Sequence, residues 1–441
     1  MENKIEDKII SNFAEINRGY TTAEAIDEAK RCLNCKNPLC VQGCPIEHNI
    51  PGFIHQLSMG NVGAAMQIIN EKSNLPAICG RVCPHEKQCE GHCILNKKEK
   101  PIRVGKLERF IADFDSEMGL IKERLKPKTR GKAAVIGSGP AGLTVAGDLA
   151  REGFNVVVFE GQKEPGGVLM YGIPEYRLPK DIVRREVKKI EALGVTFLNG
   201  VTVGEKITVD SMLEHEFDAV FIGSGTSVPK SLDIPGSKLY RVLQSSYFLR
   251  MVNLFNNGDI SRETVPLIEG EEVAIIGAGN VAMDTARTAI RMGAKNVTVI
   301  YHRTEAEIPA LQTEYHEAVE EGVKFLFQTS TKEFIGEDNT LKAIRVEGPD
   351  GEKIIPFNRV LIAIGSKPAN KIVSTSLGIE VNDAGYVITK DFPYGMTTRK
   401  GVFAGGDVVH TPQTVVLAMR DAKRVAKGMA QYIDAVKLLG D

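Results

Sequence analysis

The spacing of apolar and polar residues changes character along the chain. Over residues 1–125 the apolar positions recur at helical intervals. "TTAEAIDEAKRC" (21–32) opens on Thr/Asp capping chemistry and runs on in helix formers, and "VGAAMQIINEKS" (62–73) keeps the spacing. "KLERFIADFDSEM" (106–118) predicts a further amphipathic helix, and the charged, proline-bearing "IKERLKPKTRG" (121–131) a linker. Then the period shortens. "KAAVIG" and "NVVVFE" are continuous apolar runs that flank the helical stretch "SGPAGLTVAGDLAREG". About 140 residues later the same strand–turn–helix–strand order returns as "EVAIIG", "AGNVAMDTARTAIRMG" and "NVTVIYHR". "FIGSGT" (221–226) and "IAIGSKP" (362–368) are short apolar strands ending in glycine turns, which mark where the chain leaves and re-enters the first fold. "GVFAGGDV" (401–408) is another strand, and a helix over 413–438 closes the chain.

This order predicts an α/β protein: two Rossmann-like dinucleotide-binding domains, the second inserted in the first, preceded by an α-helical domain. The expected divisions are 1–125, 126–235, 236–365 and 366–441, with the second and fourth forming one fold.

Composition narrows the function. Among 441 residues, 55 basic and 56 acidic side chains give a net charge of −1, which points away from nucleic-acid or membrane-surface partners. No export signal is visible at the N-terminus, nor an apolar run of about 18 residues or more, so the expectation is a cytoplasmic protein. All eight cysteines, at 32, 35, 40, 44, 79, 83, 89 and 93, lie in the first quarter. In a cytosolic chain such a concentration means metal or redox chemistry rather than disulfides.

The first glycine motif, "GSGPAG", comprises Gly137, Gly139, Pro140, Ala141 and Gly142 around Ser138. It follows an apolar strand and opens a helix whose free N–H groups suit a pyrophosphate. The next strand ends in Glu160, 23 residues after Gly137, placed to accept hydrogen bonds from a ribose diol. The second, "GAGNVA", comprises Gly277, Gly279, Asn280, Val281 and Ala282. Here the strand ends in Tyr301, His302 and Arg303, so the acid is replaced by a cation. A guanidinium binds a ribose 2′-phosphate that a carboxylate would repel, so this site is expected to take NADPH, with Arg287 a candidate to assist. The first fold is expected to hold FAD. Asp407 of "GGDV" is placed for the FAD ribityl chain, and the helix beginning near Thr414 for the flavin ring.

No cysteine follows Cys93, so a flavin here has no thiol pair within its own fold. The cysteine block, C-x₂-C-x₄-C-x₃-C-P followed by C-x₃-C-P-x₄-C-x₃-C, suits iron–sulfur clusters, with two zinc sites as the structural alternative. In ferredoxin-type runs the cysteine before proline serves the other cluster. Cys32, Cys35 and Cys40 are therefore expected to share one cluster with a distant ligand, and Cys44 to join the second.

"CLNCKNPLCVQGCP", "CGRVCP…CEGHC", "GSGPAGL", "GGVLMYGIPEYRLPK" (166–180), "GAGNVAMD" and "GVFAGGDVV…TVVLAMRDAKRVA" appear in this order. Together they resemble the small (β) subunit family of NADPH-dependent glutamate synthase over nearly the whole chain. The module is also similar to the N-terminal half of dihydropyrimidine dehydrogenase and to the large subunit of the electron-bifurcating NADH-dependent ferredoxin:NADP oxidoreductase. The resemblance implies two [4Fe-4S] clusters, one on Cys32, Cys35, Cys40 and Cys93 and the other on Cys44, Cys83, Cys89 and Glu108. Cys79 is then a spare thiol or the alternative fourth ligand. It also implies that the segment containing Gly167 runs close to the flavin, and that electrons pass from NADPH through FAD and the clusters to a partner. That partner would be a large glutamate synthase-type catalytic subunit, or another electron-accepting flavoprotein, in a hetero-oligomer. Residue 2 is Glu, so a glutaminase with an N-terminal cysteine nucleophile is expected on the partner.

Overall fold

A computed structural model describes residues 12–121, 123 and 125–440. The stretch read for an export signal lies largely outside the described residues. The chain divides into two compact units. One comprises Asn17–Met170, Lys180–Val228 and the chain from Lys367 on. The other comprises Tyr171–Pro179, Pro229–Ser366 and the described start of the chain up to Ile16.

The first unit begins with five principal helices, Thr22–Lys30, Ile50–Ser58, Val62–Asn70, Pro76–Val82 and Val104–Met118. The first starts where the capping chemistry requires: Glu24 N–H donates to Thr21 Oγ1, and the Glu24 carboxylate accepts from Thr21 N–H at 2.8 Å. The apolar faces close on a core of Phe53, Ile54, Leu57, Met66, Ile69, Leu107 and Ile111. Cys32, Cys40, Cys44 and Cys93 pack against this core.

Pro76–Val82 meets Val104–Met118 at unusually close range. A Cβ on Gly80 would stand 2.6 Å from Arg109 N and 2.8 Å from Gly105 O. A Cβ on Gly105 would strike the His85 ring at 2.3 Å. Backbone therefore lies on backbone, which brings Cys79 and Cys83 beside Glu108.

The same unit contains a five-stranded parallel sheet in the order Val402–Ala404, Ala219–Ile222, Lys132–Ile136, Asn155–Glu160, Thr196–Asn199. Pro140–Glu152 and the long C-terminal helix Val415–Leu439 accompany it. That helix begins two residues later than the sequence suggests, with Thr414 as its cap, and stops at Gly440 in the left-handed region (φ 74°).

The second unit has its own five-stranded parallel sheet, ordered Val242–Gln244, Arg359–Ile362, Glu272–Ile276, Asn296–Ile300, Lys324–Leu326. The apolar run that ends at Ile362 is thus a strand of this second sheet, and the chain passes to the first unit only at Lys367. Between its last two strands in sequence lies an antiparallel meander, Ser330–Glu337, Thr340–Gly348 and Gly351–Pro356. The tight turn at Asp338–Asn339 takes positive φ at both residues (48° and 59°).

Gly80→Val should force the two close-packed helices apart and destabilise the protein by about 2–3 kcal/mol, read as a lower denaturant midpoint at unchanged slope. An unchanged midpoint would refute the close approach.

Candidate redox-cofactor sites

The helical block gathers its candidate ligands into two sets that cross in sequence. Burial raises the Cys32 thiol, and the neighbouring charges that raise it further belong to Cys35 and Cys93. Burial pushes Cys40 up to about 11, with Cys32, Cys93 and Cys35 adding to the effect. Cys44, only four residues further on, keeps different company. Burial pushes it up to about 11 as well, but the added charges are Glu108 and Cys79. Cys83 is raised by its hydrogen bond with Cys79, by burial, and by the charges of Glu108 and Cys89. Cys89 is raised by burial and by Glu90, Cys44 and Glu108. Apart from Glu90 beside Cys89, the neighbours named for each thiol fall in its own group, with Cys79 in the second.

The second set lines an open-mouthed recess whose wall includes Cys44, Cys79, Cys83, Cys89 and Glu108. Val416, from the C-terminal helix, completes one side. Glu108 is 6% exposed, and burial, with Glu186 nearby, pushes its carboxyl up to about 8. Its Oε1 is buried with no hydrogen-bond partner among the described residues. The closest cation-capable group is His48 Nδ1 at 3.7 Å. His48 is itself held neutral, its pKa pushed down to about 4 by burial, with Nε2 donating to Ile69 O. Cys79 is differently placed: its Sγ–H donates to Met419 Sδ at 3.5 Å, in addition to its contact with Cys83. A recess walled by four thiols, one of them engaged by Met419, with an unpartnered buried carboxyl oxygen, matches the donor chemistry of a cluster site.

The first glycine loop sits between strand ends. Gly137 has φ 92°, and a Cβ there would lie 2.7 Å from Gly223 O. Gly142 approaches Gly137 O so closely that a Cβ would fall 1.9 Å from it. Gly139 differs, because nothing stands within 4 Å of its missing Cβ. It is the N-cap of Pro140–Glu152, with no side chain capping the helix. Free amides on an open face are what a pyrophosphate requires. Glu160 is buried. Its Oε2 accepts from both Ser138 N–H and Ser138 Oγ–H, and its Oε1 accepts from Gln162 N–H at 2.7 Å. Three of the roughly four acceptor sites of a carboxylate are used, which leaves one for an incoming hydroxyl.

Two more sequence candidates fall beside this loop. A Cβ on Gly167 (φ 54°) would lie 2.9 Å from Gly139 Cα, and Gly166 N–H donates to Ser138 Oγ at 2.9 Å. The turn Gly406–Val408 packs a glycine against Ala141. Burial pushes the carboxyl of Asp407 up to about 6, against the opposing charge of His410. Thr414 Oγ1 accepts from Leu417 N–H at 3.3 Å.

The second loop repeats the geometry. Gly277 has φ 110° and a Cβ there would lie 2.6 Å from Ala363 O, while Gly279 is again open and uncapped. Ala282 is fully buried in the helix, Val281 is half exposed, and Asn280 Oδ1 accepts from Leu311 N–H. His302 and Arg303 are exposed, and Arg303 makes no ion pair among the described residues.

Arg287 does not join them. It is fully buried, pairs with Glu314, Glu317 and Glu321 at 2.6–3.1 Å, and lies over the Tyr176 ring. Its charge is spent on packing, so it cannot serve a nucleotide phosphate. The Tyr176 ring comes from "GGVLMYGIPEYRLPK", whose second half, Tyr171–Pro179, belongs to the second unit. Arg177 bonds both oxygens of Asp284 (2.9 and 2.8 Å) and also Glu314 at 2.9 Å. Asn253 donates to Tyr171 O and Ile173 O. One segment thus covers the first glycine loop at its start and anchors on the helix of the second glycine loop at its end. Sequence reasoning missed this cluster, although the helical spacing of Asp284, Arg287 and Arg291 together with Glu314, Glu317 and Glu321 signals two facing charged stripes.

Paired glycine loops on two parallel sheets, joined to a thiol-lined helical block, define a dinucleotide-dependent oxidoreductase with an iron–sulfur module. Residues 131–422 match the family model for pyridine nucleotide-disulphide oxidoreductases, and residues 9–120 that for dihydropyrimidine dehydrogenase domain II, 4Fe-4S cluster. The chain belongs to the glutamate synthase small-chain family. It is 36% identical to the glutamate synthase [NADPH] small chain of Halomonas elongata, covering 96% of this chain and 93% of the relative. It is 32% identical to that of Escherichia coli K12, covering 96% and 94%. The PreT subunit of the E. coli K12 NAD-dependent dihydropyrimidine dehydrogenase is 32% identical, covering 95% and 97%. The fold is shared with Mycobacterium tuberculosis FprA (TM-score 0.60, 17% identity, 71% of this chain and 86% of that one). It is also shared with Lactococcus lactis thioredoxin reductase (0.54, 23%, 69% and 99%).

Arg177→Ala would leave Asp284 buried without the cation that bonds both its oxygens, while Glu314 keeps Arg287, and should cost about 3–5 kcal/mol of stability, measured by denaturant unfolding. A loss below about 1 kcal/mol, as for a surface pair, would contradict this account of the anchor.

Proposed function

We propose that this chain is the electron-input subunit of a glutamate synthase-type complex. It binds NADPH at the Gly277–Ala282 loop and FAD at the Gly137–Gly142 loop, and it holds two [4Fe-4S] clusters in the helical block. The observation that carries the reading is the crossed grouping of thiols: Cys44 sits with Cys83, Cys89 and Glu108 although Cys40 is its sequence neighbour. The flavin supplies acceptance of a hydride and release of single electrons, which iron–sulfur clusters carry.

The protein's own part is binding and alignment. The open faces at Gly139 and Gly279 let the pyrophosphates approach free helix amides. Glu160 offers its remaining acceptor to a ribose hydroxyl. Asp407 and the amides after Thr414 face the rest of the flavin nucleotide. Arg303 takes the 2′-phosphate, with His302 beside it. Cys32, Cys35, Cys40 and Cys93 hold one cluster. Cys44, Cys83, Cys89 and Glu108 hold the other, with Glu108 preferred to Cys79 because its Oε1 is unpartnered while Cys79 is engaged by Met419. The second set adjoins the flavin-type fold through Val416 and Met419. The partner is a large catalytic chain, and the complex would convert glutamine, 2-oxoglutarate, NADPH and a proton into two glutamates and NADP⁺. We place this work in the cytoplasm, where thiols stay reduced.

Arg303→Ala should raise KM for NADPH about tenfold or more, the worth of one charge-assisted contact, and leave that for NADH nearly unchanged. Steady-state bleaching of the flavin band measures both, and equal losses would refute the 2′-phosphate role. Glu108→Ala should lose the iron and paramagnetic resonance signal of one cluster, and Cys79→Ala should keep both. The reverse outcome would make Cys79 the ligand.

A further inference from the structure

One buried charge has no part in the sites described above. Glu186, on the helix Lys180–Ala192, is 0% exposed. Its Oε2 accepts from Ala77 N–H at 3.3 Å, although the two residues are 109 apart in sequence. Ala77 stands in the first turn of Pro76–Val82, the helix that carries Cys79 and ends at Cys83. Leu75, the N-cap of that helix, offers no side-chain acceptor, so the distant carboxylate takes the amide. The other oxygen of Glu186, Oε1, has Lys189 Nζ at 3.1 Å and makes no hydrogen bond among the described residues. A backbone N–H and an ammonium are the partners of an ionised carboxylate. Next to Glu186, Arg185 bonds Asp113 Oδ1 at 2.5 Å, and Arg81 bonds the same carboxylate at 2.8 and 3.2 Å. Asp113 lies on the helix of Glu108, and Arg81 on that of Cys79. Three helices are thus pinned together beside the second set of candidate ligands. Besides burial, it is the charge of Glu186 that pushes the Glu108 carboxyl up.

We propose that Glu186 is a positioning residue for the second centre, the one that includes Cys44, Cys83 and Cys89, and that its buried charge lowers the reduction potential there. The inference rests on the iron–sulfur reading above. Uptake of one electron adds one negative charge to that centre, with no bond made or broken. A fixed carboxylate nearby opposes the added charge, and net charge around a cluster is among the factors that set its potential. Water cannot screen Glu186, which has no exposed surface. Lys189 keeps 32% of its side chain in solvent, so its opposing charge is weakened. Through Ala77 the same carboxylate also holds the turn that leads to Cys79 and Cys83. The second set adjoins the flavin-type fold through Val416 and Met419, so the potential that Glu186 sets governs how readily electrons enter the helical block.

The test is a potentiometric titration of the full-length holoprotein without oxygen, followed by paramagnetic resonance. The second centre's signal is the one that Cys89→Ser removes. Glu186→Gln keeps an oxygen for Ala77 N–H and removes the charge. It should retain its iron and raise the reduced-to-oxidised ratio of that signal about tenfold at a fixed poise, a shift of about 59 mV for one electron. The other signal should move less, and equal movement of both would overturn the assignment to this centre. Glu186→Asp keeps the charge with a shorter reach and should leave the potential close to that of the unmodified protein. An unshifted Gln variant would reduce Glu186 to a helix cap and overturn the proposal. So would equal shifts in the Gln and Asp variants, which would trace the effect to shape. If the Gln variant fails to take up iron, the Asp variant decides alone, and a shift in its potential overturns the proposal. An unmodified protein with no labile sulfide and neither signal would instead overturn the iron–sulfur reading, and the proposal with it.

Discussion

Burying ionisable ligands without a counter-charge is the constraint on which this molecule turns. The helical block partly or wholly buries its thiols together with the Glu108 carboxyl, and burial raises the pKa of several of them, to about 11 for Cys40 and Cys44 and about 8 for Glu108. Ionising such groups in place is expensive unless a metal-bearing centre compensates. The block is therefore built to be completed by its cofactors, with ligand binding and folding thermodynamically linked. His48 does not relieve the strain, because burial keeps it neutral beside Glu108. The contact of Gly80 and Gly105 with their surroundings follows from the same demand, since only bare backbone lets the helix carrying Cys79 approach the helix carrying Glu108.

The dinucleotide folds meet a different requirement with the same economy of backbone. In both glycine loops the first glycine takes positive φ against a carbonyl of a neighbouring strand end, and the second leaves open space. The third position separates them: Gly142 lies on Gly137 O, whereas Ala282 is accommodated. The segment from Gly166 to Lys180 then connects these sites covalently. Its glycines cover the first loop and its Arg177 clamps the helix of the second through Asp284. One guanidinium nitrogen on both oxygens of buried Asp284 and another on Glu314 make a directional clamp as well as a charge pair.

Much of this was legible beforehand because it is local. Strand–turn–helix periodicity gave both glycine loops, and the Thr/Asp capping chemistry gave the first helix. The linear sequence also allowed Cys44 to be parted from Cys40, because a proline follows it. What escaped was non-local or misjudged. Arg287 looked available for a phosphate because its helix follows a glycine loop, but its partners lie some thirty residues downstream at Glu314, Glu317 and Glu321. The role of "YGIPEYRLPK" could not be read, since its partner Asp284 is over a hundred residues away. The meander at 330–356 was simply missed, although Asp338–Asn339 and Asp350–Gly351 between β-rich runs are hairpin signals.

The crossed grouping of cysteines carries the functional account, and single thiol replacements compared by paramagnetic resonance of the reduced protein test it most directly. The account predicts that the spectrum of Cys44→Ser matches that of Cys83→Ser or Cys89→Ser, while Cys40→Ser matches Cys93→Ser. A Cys44→Ser spectrum that matched Cys40→Ser instead would mean that the first four cysteines hold one centre, and would contradict it.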